Sequence, residues 1–206
     1  MLKIWGRPNS INVQKVMWIA NELGLDYEHE VAGMAHGKVG EPWYRKMNPN
    51  GLVPTIDDDG TVLWESNVIV RYLAAKHAMG RLIPSDVAGR AEAEMWMDWQ
   101  QTVLLPGITP VFWNLIRTPE ADRNQKAVND GCERMLKALA TLDARLADRS
   151  FVLGEQFSAS DVPAGCVAYR WYALPVAHGD FPNVRAWYER LAQRPAFQQH
   201  VMLPLT

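Results

Sequence analysis

The chain has 206 residues, more than one ordinary domain needs and enough for two small ones packed together. Hydrophobic residues make up 48% and charged residues 21%, a balance that excludes extended disorder and residence in a bilayer, so no membrane partner is expected. Lysine and arginine number 21 against 23 acidic residues, and the formal charge of −2 supplies no field able to hold nucleic acid.

Met1 to Trp5 runs directly into a strand-like pattern without the basic and long apolar regions of a secretory signal, so a cytoplasmic location is expected. The only cysteines, Cys132 and Cys166, each sit in an apolar-periodic helical stretch and read as reduced, buried thiols rather than a disulfide framework.

Leu2 to Trp5 predicts a strand closed by Gly6-Arg7-Pro8-Asn9. Val13, Val16, Met17, Ile19, Ala20 and Leu23 then recur at helical spacing until Gly24. Tyr27 to Val31 alternates as a second strand, and strand, helix, strand with short connections is a βαβ unit with parallel strands. A glycine-rich loop from Ala32 to Gly40 and a short turn near Trp43 to Met47 follow.

Thr55 to Asp57 and Val62 to Trp64 are short strands joined by Asp58-Asp59-Gly60, where Asp-Gly supplies the positive φ angles of a tight hairpin. Val68, Ile69, Tyr72, Leu73 and Ala75 continue at helical spacing. Residues 1–80 therefore spell βαβ-ββα, the thioredoxin-like order with a mixed sheet.

From Val87 strand signals cease, and long amphipathic segments at Val87 to Leu105, Arg123 to Leu146, Ser160 to Tyr172 and Val184 to Gln193 predict an all-α bundle over 87–206. A surface linker at about 77–86, with Gly80 and Pro84, separates two individually built cores, the boundary lying near residue 82. Pro106 and Pro110 are expected to kink or break the first bundle helix. Ser158-Ala159-Ser160-Asp161 has the spacing of a capping box, a structural feature.

Four segments, in this order, carry a resemblance: Arg7 to Val16, Asn48-Pro49-Asn50-Gly51-Leu52-Val53-Pro54-Thr55, Leu63-Trp64-Glu65-Ser66-Asn67, and Phe157-Ser158-Ala159-Ser160-Asp161. Together they resemble the cytosolic glutathione transferases, in particular bacterial members of serine or asparagine type, theta-, nu- or phi-like, which lack the tyrosine near the first helix. The resemblance spans essentially the whole chain. It implies an enzyme that binds glutathione as co-substrate, needs no metal, works as a homodimer, and activates the glutathione thiol for attack on small apolar electrophiles.

The chemistry assigns roles accordingly. Lowering a thiol pKa from about 8.5 to about 6.5 means favouring the thiolate by about 2.7 kcal/mol. Ser10 and Asn12 lie where the first helix begins, and the free N–H groups and dipole there, with one charged hydrogen bond, supply that much. Ser10 is placed ahead of Asn12 as the donor, although capping alone would also explain a serine there.

The resemblance implies a cis Val53-Pro54 bond that turns the Val53 backbone toward the cysteinyl unit, Glu65 for the γ-glutamyl ammonium, and Ser66 for its carboxylate. For the glycine carboxylate, Lys38 is the first candidate, with His36 or Asn50 as alternatives, because the position where the family often has histidine is Val39. Tryptophans such as Trp96, Trp99, Trp113 and Trp171 could line an apolar pocket, and Phe112, Trp113 and Arg117 are the candidates for the electrophile's pocket. Asp98 reads as a solvated helix residue. Two other activities fit the same scaffold: a non-catalytic carrier of glutathione or hydrophobic ligands, and a glutathione-dependent disulfide reductase or peroxidase.

Overall fold

The computed structural model describes all 206 residues. Strand β1 (Leu2–Trp5), helix α1 (Ile11–Glu22) and strand β2 (Tyr27–Glu30) are followed by the short helix α2 (Pro42–Met47), strands β3 (Thr55–Asp58) and β4 (Thr61–Trp64), and helix α3 (Ser66–Ala78). The sheet order is β2-β1-β3-β4, with β1 parallel to β2 and antiparallel to β3, and β3 antiparallel to β4. This is the mixed sheet expected of βαβ-ββα.

Helix α1 starts where Ser10 takes an extended conformation and its carbonyl accepts the Gln14 N–H at 2.9 Å. It stops in a Schellman turn: Gly24, at φ 66°, donates to Asn21 O, and Leu25 N donates to Ala20 O. Only a residue at ease in the left-handed region closes a helix this way.

The hairpin turn contains Asp59 and Gly60, at φ 50° and 91°. Asp58, expected in the turn, instead ends β3 opposite Thr61. Its carboxylate is buried and accepts from Tyr72 Oη at 2.9 Å and Lys76 Nζ at 2.6 Å, which ties the hairpin to α3.

The helical half comprises α4 (Val87–Trp99), α5 (Leu105–Phe112), α6 (Gln125–Arg145), α7 (Asp161–Ala173), α8 (Pro182–Ala192) and α9 (Pro195–His200). Winding continues from α4 through a π turn at Gln100–Leu104 into α5, and through a second at Trp113–Arg117, so of the expected kink or break at Pro106 and Pro110 the break does not occur. The wider π turn re-registers the hydrogen-bond ladder beside the prolines that cannot donate to it. Gly131 lets α6 lie directly on α5, since a Cβ there would stand 2.8 Å from Gly107 O.

The two halves do not have separate cores. One cluster of 43 buried residues runs through both, because α1 is buried on every side from Val13 to Ala20 and packs on α3 as well as on α7 and α9. Trp18 of α1 meets Phe157 and Phe197 with ring centroids 5.6 Å and 4.7 Å away. The connection is pinned too: Leu82 and Ile83 are buried, and Leu82 O accepts from Ala159 N at 2.8 Å.

Half of the expected capping box forms. Asp161 accepts from Ser158 N and from Ser158 Oγ, both at 2.9 Å, but Ser158 Oγ returns no bond to the Asp161 N–H, which donates to Ser158 O instead. The second carboxylate oxygen takes Val152 N and Trp187 Nε1, each at 2.9 Å. Asp161 is therefore a buried hub joining three segments rather than a simple cap.

Candidate functional site

The turn between β1 and α1 and the first residues of α1 present Arg7, Ser10 and Asn12 to a cleft between the two halves. Ser10 is almost buried, and its hydroxyl makes no cap bond to the helix. Asn12 is tied down: its Oδ1 accepts from Ser66 Oγ at 3.2 Å, across from the start of α3.

Behind that contact lies a residue that sequence reasoning overlooked. Lys15 is completely buried, and its ammonium donates to Ser66 Oγ at 3.3 Å, Asn67 Oδ1 at 3.1 Å and Gln100 Oε1 at 3.1 Å. Every acceptor is neutral. Burial brings its pKa down to about 8, and the Glu65 charge opposes the fall. Asn67 Nδ2 donates to Met97 O at 2.8 Å, so the same network clasps α3 to α4.

Glu65, just ahead of Ser66, is exposed and held at φ 71°. A non-glycine residue in that region is strained, and such outliers gather at ligand clamps.

The segment from Asn48 to Thr55 is braced from below. Tyr44 Oη donates to Leu52 O at 2.8 Å and pairs with Thr55 Oγ1 at 2.8 Å, while Asn48 Nδ2 donates to Leu52 O at 2.9 Å and Thr55 Oγ1 at 3.1 Å. The Val53-Pro54 bond is cis. Neither the N–H nor the C=O of Val53 is taken by another backbone group, which leaves a short open edge facing the cleft.

Two adjoining cavities share Arg7, Ser10, Asn12 and Trp113. One, about 320 Å³, extends over Val39 and Val53; the other, about 180 Å³, extends under Leu105, Ile108 and Phe112 to Arg117 and Arg170. Phe112, Trp113 and Arg117 thus share one lining. A separate open groove of about 370 Å³, between Gly80–Asp86 and Leu153–Ser158, gathers none of the candidate site residues.

Lys38, Asn50, Pro54, Glu65 and Ser66 are not in the lining of either cavity. Lys38 Nζ pairs with Glu30 at 2.9 Å, and the Asn50 amide donates to Asn48 Oδ1 at 3.3 Å as a brace of its own turn. It is Val39 that borders the cavity, and His36 lies in a neighbouring depression with Arg7 and Arg117. Asp98 is exposed and pairs with Arg71. Trp171 is fully buried core.

Lys15 and Arg170 went unsingled because their helices are buried all round, so no polar face marks them out. The available signal was a cation inside an otherwise apolar helical run.

Comparison with known proteins places this geometry. Residues 9–76 match the family model for the glutathione S-transferase N-terminal domain, and residues 125–190 match that for the C-terminal domain. Glutathione S-transferase GstB of Escherichia coli strain K12 is 39% identical over the whole of both chains. The theta class glutathione S-transferase of Xanthomonas axonopodis pv. citri, solved with glutathione bound, superposes with a TM-score of 0.95 at 42% identity, covering 100% of this chain and 99% of that one. Glutathione transferase F7 of Populus trichocarpa gives a TM-score of 0.89 at 25% identity over 99% and 100% of the two chains.

Proposed function

Since the chain belongs to the glutathione S-transferase family and is a glutathione transferase, we propose that it binds glutathione along the Val53 edge and activates the thiol at the start of α1. The observation that carries this reading is the convergence of Ser10, Asn12 and the open Val53 backbone on one cavity of about 320 Å³. The cysteinyl unit pairs with Val53 as an added strand, which sets the sulfur over the N-terminus of α1. There Ser10 and Asn12 donate to the thiolate, and the helix dipole favours the anion.

Glu65 takes the γ-glutamyl ammonium and Ser66 the adjoining carboxylate, with Lys15 behind Ser66 adding positive potential. Asn50, near the turn at Gly51, and Lys38, if it leaves Glu30, serve the glycine carboxylate. The electrophile lies against Phe112, Trp113 and Arg117. Sulfur then attacks the electrophilic carbon and the leaving group departs with its electron pair, so catalysis consists of orientation plus a ready thiolate.

The enzyme acts as a homodimer in the cytoplasm, in the detoxification of small electrophiles. Dimerisation is supported by exposed apolar side chains, Val62 and Trp64 on edge strand β4, Val68 on α3 and Met95 on α4. No helix is long and apolar enough to cross a membrane.

The test is calorimetric binding of glutathione to wild type and to Ser10→Ala, with ultraviolet titration of the bound thiolate in each. Retained binding with a raised thiol pKa in the variant supports the reading. Absence of binding, or of a thiolate, in the wild type overturns it.

A further inference from the structure

The cavity under α5 holds three guanidinium groups and no acid. Arg7, Arg117 and Arg170 all line it, no aspartate or glutamate does, and none of the three forms an ion pair with an acidic side chain. The other arginines near acids, such as Arg71, Arg145 and Arg194, do form such pairs.

Arg170 is the deepest of the three, 8% exposed. Its Nη2 donates to Asn9 O at 3.0 Å and its guanidinium lies 4.1 Å from the centroid of Phe112, but its Nε is buried without a partner. Arg7 Nε is unpartnered and buried as well. Arg117 lies over Phe112 and Trp113, at 5.1 Å and 4.7 Å, and is partly occupied, donating through Nε and Nη2 to Thr206 O at 3.2 Å and 3.1 Å.

Gathering like charges in a part-buried cleft is unfavourable unless something offsets it. Burial depresses all three, alone for Arg117 and together with repulsion from Arg117 for Arg7 and for Arg170, which comes down to about 10. Arg170 stays charged at neutral pH, so the cavity presents a cation with no acid beside it.

We infer that the electrophile carries a carboxylate, or a similarly compact oxyanion, on a flat apolar body, the anion received by Arg7 and Arg170 and the body by Phe112 and Trp113. This rests on the transferase reading above and replaces the wholly apolar electrophile expected from sequence. Glutathione paired with Val53 does not supply this anion, because Val53 lines the other cavity and Arg170 lines only the one under α5. With para-(bromomethyl)benzoate as substrate, the thiol first loses its proton to solvent. The sulfur lone pair then forms the bond to the benzylic carbon as the carbon–bromine bond breaks, bromide leaves with the electron pair of that broken bond, and the carboxylate is unchanged.

The test compares calorimetric binding of S-(para-carboxybenzyl)glutathione and S-benzylglutathione to the full-length enzyme, to Arg170→Met and to Arg7→Gln. A hydrogen-bonded charge pair predicts about ten- to a hundred-fold tighter binding of the carboxylated conjugate by wild type, and loss of most of that preference in either variant. The ratio of kcat/KM for para-(bromomethyl)benzoate over its methyl ester should fall in parallel. Arg7→Gln, at the less buried position, keeps the test open should Arg170→Met not fold. Equal binding of both conjugates by wild type overturns the inference and leaves the transferase reading intact. So do variants that weaken both conjugates equally or raise only the thiol pKa, since the cations would then serve glutathione. Failure to bind either conjugate overturns the transferase reading, and this inference with it.

Discussion

Ser66 Oγ donates to Asn12 Oδ1 across 3.2 Å, and Lys15 Nζ in turn donates to Ser66 Oγ at 3.3 Å. An ammonium has only donors, so the serine proton is left free to point at Asn12 and requires the amide oxygen there. The amide nitrogen is thereby turned the other way, as a donor available to the cleft. Removing one donor to a thiolate costs about 1.5–3 kcal/mol, or about one to two pKa units. Asn12→Ala should raise the bound glutathione thiol pKa by that amount. Ser66→Ala should raise it by less, and the double variant should fall short of the sum. Additive effects would show that Ser66 does not orient Asn12.

How far the sequence announces this arrangement depends on burial. Helices α6 and α8 are legible because each has one wet and one dry face, α1 because its apolar run ends at Gly24, and the Asp59-Gly60 hairpin because its turn residues have the φ that such a turn demands. The motif residues Ser10, Val53 and Ser66 stand out in the sequence because they sit in short punctuated loops or at the first residue of a helix. Lys15 and Arg170 are not, since periodicity reports which face is dry and these helices are dry all round. Lys38 is legible as an exposed lysine but not as a paired one: its partner Glu30, at the end of β2, comes beside it only when the loop between them folds back. The shared core was hidden likewise, because Trp18 reads as ordinary core until Phe197 is packed on it.

Asp161 accepts four hydrogen bonds from Val152, Ser158 and Trp187 while fully buried. Asp161→Ala leaves those donors unpaired, and the expected loss is about 3–5 kcal/mol of stability, comparable with breaking a buried charged network. Urea unfolding measures it. The folded fraction should bind glutathione as wild type does, because Asp161 lines neither cleft cavity. A small stability change together with lost binding would assign Asp161 to the ligand site instead.

Trp64 and Val68 are 37% and 42% exposed on the side of the sheet edge and α3. A lysine at each places charge in the middle of the apolar face proposed to pair two chains, where desolvation is unfavourable. Light scattering should give two chains per particle for the wild type and one for Trp64→Lys with Val68→Lys at micromolar concentration. A wild type that runs as a monomer, or a variant that remains dimeric, excludes this face.

Lys15 also sets a pH dependence of folding. Burial holds its ammonium pKa at about 8 in the folded chain, against an ordinary value of 10.5. Between those values the unfolded state binds more protons, so this group makes stability rise with pH; below about 8 both states are protonated and the cost of burying the charge is present in full. The span corresponds to something on the order of 3 kcal/mol. Cys166, whose thiol burial pushes up to about 12, acts with the opposite sign, because the unfolded thiol ionises first. The effect is therefore read as wild type minus Lys15→Met in urea unfolding at successive pH values, where most of the Cys166 contribution cancels. That difference should climb in favour of wild type across pH 8 to 10.5. A flat difference would mean that Lys15 keeps an ordinary pKa in the folded enzyme, and that no buried cation stands behind Ser66.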